Sequence, residues 1–197
     1  MKKLISIVLC LATILTLTSC FQRTNKNVKN YEEKREQVPY AGALMPTLEE
    51  LGEYSDISFA YRYQYIIMFE TETIALFVEY ADDVYETKKA EALSSYKFLE
   101  KTKISSDGKE YLSTSASFSY RGYAFQTAPN PENPYVDTER ELCKSFALIG
   151  FDDEAHKIAY CYFYDLDLDC IDTTEKTEEE MMADFIEESF FWNDIES

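Results

Sequence analysis

The residues best able to do chemistry fall in one stretch, Asp165-Leu166-Asp167-Leu168-Asp169. On an extended chain its three carboxylates share one face and repel one another. A hard cation with oxygen ligands would relieve that repulsion. Asp165, Asp167 and Asp169 are therefore the candidate calcium ligands, with Glu175, Glu178 or Glu179 to complete the set. The EF-hand loop pattern itself fails, because its sixth position is Cys170 and its twelfth is Lys176. A solvated strand edge, whose like charges discourage pairing, accounts for the same residues. The single histidine, His156, leaves a turn that carries Asp152, Asp153 and Glu154. No patterned nucleophile accompanies it, and neither GxSxG nor HExxH occurs. The expectation is an exposed turn histidine, and no catalytic residue is assigned.

Two tyrosine stripes carry a softer signal. Tyr61, Tyr63 and Tyr65 alternate on one predicted strand, and Tyr160, Tyr162 and Tyr164 on another. Facing outward, such a stripe is an aromatic platform for sugars or a protein partner; facing helices, it is core. Pro129, Pro131 and Pro134 mark a long loop over 127–142, and with Tyr135 it is the loop candidate for a binding surface. Cys143, Cys161 and Cys170 are an odd set of thiols. Cys161 and Cys170 are up to ~30 Å apart on a straight strand, whereas a disulfide needs Cα atoms within ~7 Å. A bridge from Cys143 to either stays open, as do three buried thiols. No CxxC or His-Cys metal spacing exists, so no cofactor beyond the calcium ion is expected.

The N-terminus says where these groups reside. Lys2 and Lys3 precede an apolar run from Leu4 to Leu17. As a helix that run spans ~21 Å, short of the ~30 Å hydrocarbon core, which suits a signal peptide over 1–19. It ends in Leu17-Thr18-Ser19-Cys20, which resembles the lipobox of bacterial lipoproteins. The resemblance covers the first 20 residues. It implies cleavage before Cys20, acyl chains on its sulfur, and a membrane partner reached through them. The layout is also similar to small lipoproteins of Gram-positive bacteria, which implies the outer face of the cell membrane and brings no activity.

Charge narrows the partners. Residues 21–45 carry five basic and three acidic side chains, whereas 46–197 carry 12 basic and 34 acidic. Phosphates repel such a surface, so nucleic acid is not a partner. A basic peptide, a protein or a cell-wall component suits it better.

The positioning elements follow from pattern. Residues 20–45 lack periodicity and read as a flexible tether, and 46–197 as one acidic domain. Thr47 and Glu50 fit a capping box over a short helix, 48–51, closed by Gly52. Residues 57–69 and 74–80 read as strands turning at Glu70-Thr71-Glu72. A helix follows over 83–97, then strands near 98–104 and 109–113. The run Ser115–Thr127 switches faces at Gly122, which suggests a bulge. Strands 146–151 and 156–168 precede a helix capped by Thr177. The expected fold is α+β: a mainly antiparallel sheet of about six strands, β-β-α-β-β-β-β-α, with the helices on one face. The expected function is a non-enzymatic binding or interaction module. A small hydrolase using acidic residues, or a calcium-binding surface protein, is the alternative.

Overall fold

The computed structural model describes residues 20–66, 69–100, 117–131, 145–165, 178–190 and 192. Among these residues seven strands form one antiparallel sheet: β1 (Cys20–Asn25), β2 (Asp56–Ile66), β3 (Phe69–Glu79), β4 (Ser117–Tyr120), β5 (Tyr123–Pro129), β6 (Ser145–Asp152) and β7 (Lys157–Asp165). Their spatial order is β1-β2-β3-β7-β6-β5-β4. Four α-helices accompany them: α1 (Tyr31–Gln37), α2 (Leu48–Leu51), α3 (Asp82–Ser95) and α4 (Glu178–Phe190). The class, α+β with a mainly antiparallel sheet, is as expected.

The helices do not share one face. Along β3, Ile74, Leu76 and Val78 pack with Tyr31 of α1 and Tyr85 and Ala92 of α3. The intervening Ala75 and Phe77 pack with Met182, Phe185, Ile186 and Phe190 of α4 and with Trp192. Alternate strand residues point to opposite faces, so the sheet is covered on both. The reason is written in β6, which is buried from Ser145 to Phe151 and apolar at each position from Phe146 to Phe151. A strand apolar at every position needs two cores. On the α4 face an aromatic cluster closes around Trp192, whose ring lies 4.6 Å from Phe77, 5.1 Å from Tyr123 and 5.7 Å from Phe125.

Residues 20–45 are not a tether. The first six pair with β2 in register from Cys20 opposite Ile66 to Asn25 opposite Tyr61. Beyond them Tyr31, Val38, Ala41, Leu44 and Met45 are buried in the same core as the sheet. Their irregular spacing hid this, because the segment is pinned singly rather than by one amphipathic stripe. The Tyr31 hydroxyl donates to the Pro46 carbonyl. The Tyr162 hydroxyl donates to the Pro39 carbonyl at 2.7 Å, and Arg35 Nε to that of Met45 at 2.7 Å. Such bonds satisfy carbonyls that no ladder reaches.

Two turns differ from expectation. Ile66 pairs with Phe69, so β2 and β3 reverse between those residues, and Glu70, Thr71 and Glu72 belong to β3. Gly122 marks a hairpin, not a bulge: Tyr120 pairs with Tyr123, and Arg121 and Gly122 have φ of 45° and 90°. Positive φ at both central residues is the tight turn whose twist matches the strands. The Thr47–Glu50 capping box forms as expected, with Gly52 beyond the helix at φ 71°. Of the strands expected near 98–104 and 109–113, residues 98–100 are described and are not strand, while the rest of both and the Thr177 cap lie outside the described residues.

Candidate functional site

Cross-strand register turns the tyrosine stripes into a surface. On the face carrying α1, Asn25, Tyr61, Ile74 and Tyr162 form one row across β1, β2, β3 and β7. The next row toward Cys20 is Arg23, Tyr63, Glu72 and Tyr164. The last is Phe21, Tyr65 and Glu70. Burial fades along the stripe. Tyr61 is 9% exposed and Tyr65 38%, with Tyr63 between them. The second stripe fades likewise, from buried Tyr160 and Tyr162 to half-buried Tyr164. Each stripe is therefore core at one end and surface at the other. α1 covers only the inner rows, so the outer rows stay open.

The open end is a groove of about 530 Å³, lined by Phe21, Arg23, Lys34, Gln37, Tyr61, Tyr63, Tyr65 and Glu72. Phe21 meets Tyr63 edge-on at 6.3 Å, and the Arg23 guanidinium lies 4.8 Å from the Phe21 ring centre. Lys34 sits 5.3 Å from the Tyr61 ring centre and bonds Gln37 Oε1 at 2.7 Å. Each cation is thereby held on an aromatic face.

Glu72 forms the floor. It is 7% exposed, and the Tyr61 hydroxyl donates to its Oε2 at 2.6 Å. Burial raises its pKa above the usual carboxylate range; the nearby Glu70 charge adds to this, while the Tyr61 bond and Lys34 oppose it. Burial likewise pushes the Tyr61 phenol up, and its bond to Glu72 reinforces the shift. The pair therefore stays as phenol donor and carboxyl acceptor, a fixed polar element in an aromatic wall.

The other candidates fall elsewhere. Asp165 accepts a bond from Thr71 Oγ1 at 3.0 Å, whereas Asp167, Asp169, Tyr135, Cys143 and Cys170 lie outside the described residues. Among the described residues no three His, Cys, Asp or Glu side chains cluster as a metal site. Cys161 is buried in the α4-side core. His156 is half-buried with φ 53°; its Nδ1 lies 2.9 Å from Asp82 Oδ1 and its ring 5.1 Å from Tyr85. Its partner thus comes from α3, not from the turn, where Asp153 instead accepts from Tyr85 at 2.6 Å. This cluster sits at the other end of β3 from the groove.

Sequence reasoning found Tyr61, Tyr63 and Tyr65 and missed Phe21, Arg23, Lys34, Gln37 and Glu72. Glu72 carried a usable signal, since it continues the alternation of Ile74, Leu76 and Val78 onto one strand face. The others stand in the segment read as tether.

The fold and groove define an α+β protein with a two-faced antiparallel sheet and one aromatic, mixed-charge recess at the sheet's β1 edge. No family model, curated protein or solved structure matches the chain. No described helix is long and apolar enough to cross a membrane.

Proposed function

We propose that the protein is an extracytoplasmic lipoprotein, anchored through acyl chains on Cys20, that works as a binding module. Its binding site is the groove of Phe21, Tyr61, Tyr63, Tyr65 and Glu72, and its ligand is a wall-type glycan. The observation that carries this is the outward fading of the tyrosine stripe into an open recess. Phenol and phenyl rings stack on the apolar faces of sugars, while hydroxyls, an amide and a carboxyl serve the sugar's polar rim. The groove holds both signs of charge, Arg23 and Lys34 against Glu72, which favours a neutral polar ligand over a basic peptide. The lipobox Leu17-Thr18-Ser19-Cys20 supports the anchoring.

The hydrolase alternative needs a facing pair of carboxyls. Glu70 and Glu72 stand two apart on the same face of one strand, not opposite each other, and of the two Glu72 lines the groove. Glu72 is buried and bonded to Tyr61, which suits a structural acceptor.

Titration of the purified protein with soluble wall glycan fragments, followed by tyrosine fluorescence, tests the reading. Binding should survive high salt and weaken at least tenfold in Tyr63→Ala, about 1.4 kcal/mol. Binding only to basic peptides, lost as salt rises, would replace the glycan with a cationic ligand. Product release with catalytic turnover would favour the hydrolase.

A further inference from the structure

We infer that the groove end of the sheet rests on the membrane surface, so that the ligand is taken beside the lipid headgroups; this rests on acylation of Cys20. The anchor residue is itself the first residue of β1 and pairs with Ile66. No slack chain separates it from the fold. Acyl chains inserted in the bilayer would therefore hold the β1 end of the sheet at the surface, and the side chains at that end would set its tilt. Each strand residue advances about 3.3 Å, so the row of Asn25 and Tyr61 lies roughly 17 Å from Cys20 and the row of Phe21 and Tyr65 only about 3 Å from it. The groove spans these rows.

The side chains at that end fit an interface. Phe21 is 43% exposed and Tyr65 38%, and they stand opposite each other on β1 and β2. The amphipathic ring of Tyr65 suits the headgroup region, where one side is apolar and the other wet, and Phe21 adds apolar surface beside it. Charge does not oppose the contact. Glu70 shares the row of Phe21, and Arg23 and Glu72 share the next with Tyr63 between them; Lys34 also lines the groove, so two basic groups stand beside two acids at this end. The His156–Asp82 pair and the start of β2 at Asp56, which pairs with Glu79, stand at the far end of the sheet. Among the described residues the aromatic recess thus lies toward the anchor, and the exposed acids Asp82, Asp153 and Glu154 lie away from it.

The test uses the isotope-labelled, acylated protein in nanodiscs carrying lipids with a paramagnetic headgroup label. Intact mass first shows whether Cys20 carries its acyl chains; an unmodified cysteine overturns both the anchoring and this orientation. With the chains present, the amides of Phe21, Arg23 and Tyr65 should relax several-fold faster than those of Asp82 and His156. Equal relaxation along the chain, or faster relaxation at the His156 end, overturns the orientation and leaves the anchoring standing. The variant F21S/Y65S, still acylated, should lose the gradient while keeping its membrane association; an unchanged gradient would mean that the rings do not hold the surface.

Discussion

Removing the Tyr61 hydroxyl tests the floor of the groove. Tyr61→Phe keeps the ring and deletes the donor to Glu72 Oε2, which lies 2.6 Å away. Glu72 is 7% exposed, so water does not readily replace that donor. A hydrogen bond to a buried charged group is worth about 1.5–3 kcal/mol. At roughly 2–4 °C per kcal/mol for a domain of this size, melting should fall by roughly 3–12 °C at neutral pH. The effect must depend on pH. Burial raises the folded pKa of Glu72 above its unfolded value. Its contribution to stability is therefore full below the unfolded carboxyl range and is lost as pH rises through the folded value. Tyr61→Phe raises the folded value further, so its cost is largest at neutral pH. In acid the protonated carboxyl loses only a neutral bond, about 0.5–1.5 kcal/mol. Glu72→Gln should leave the protein as stable or more so at neutral pH, and should make Tyr61→Phe equally costly at both pH values. Calorimetry of the four-member cycle at neutral and mildly acidic pH reads all of this. Equal losses in the parent at both values, or marked destabilisation by Glu72→Gln at neutral pH, would refute the buried pair.

Three further outcomes follow from the packing. Gly150→Ala would put a Cβ 2.5 Å from Phe125 Cε1, in a ring buried on the α4 face; overpacking should cost about 1–3 kcal/mol in denaturant melts. Trp192→Ala removes the hub of the α4-side cluster and should cost about 3–5 kcal/mol, with loss of the near-ultraviolet dichroism of the packed aromatics. Gly122→Ala forces a side chain into φ 90° with Asp152 Oδ2 3.1 Å from its Cβ, and should lose about 1 kcal/mol or more while Gly52 and its helix remain unaffected.

What could be read beforehand depended on how local the physics was. The Thr47–Glu50 box and Gly52 were legible, because capping is decided within six residues. So were β2, β6, β7 and α3, where aromatic and β-branched runs or helical spacing are strong. The placement of α4 opposite α1 and α3 was legible in principle from the all-apolar β6, but alternation elsewhere argued for one core. Residues 21–45 were not legible, since Tyr31, Val38 and Leu44 gain their burial from strands far along the chain. The groove shared that fate. Its tyrosines stood out in sequence, whereas Phe21, Arg23 and Lys34 join them only once β1 pairs with β2 and α1 covers the inner rows.

The most direct test of the central claim is a residue-resolved NMR titration of the protein with soluble wall glycan fragments. Shifts confined to Phe21, Arg23, Tyr63, Tyr65 and Glu72, with Trp192 on the opposite face unmoved, are the predicted result. A silent groove, or shifts centred on His156 and Asp82, would contradict it.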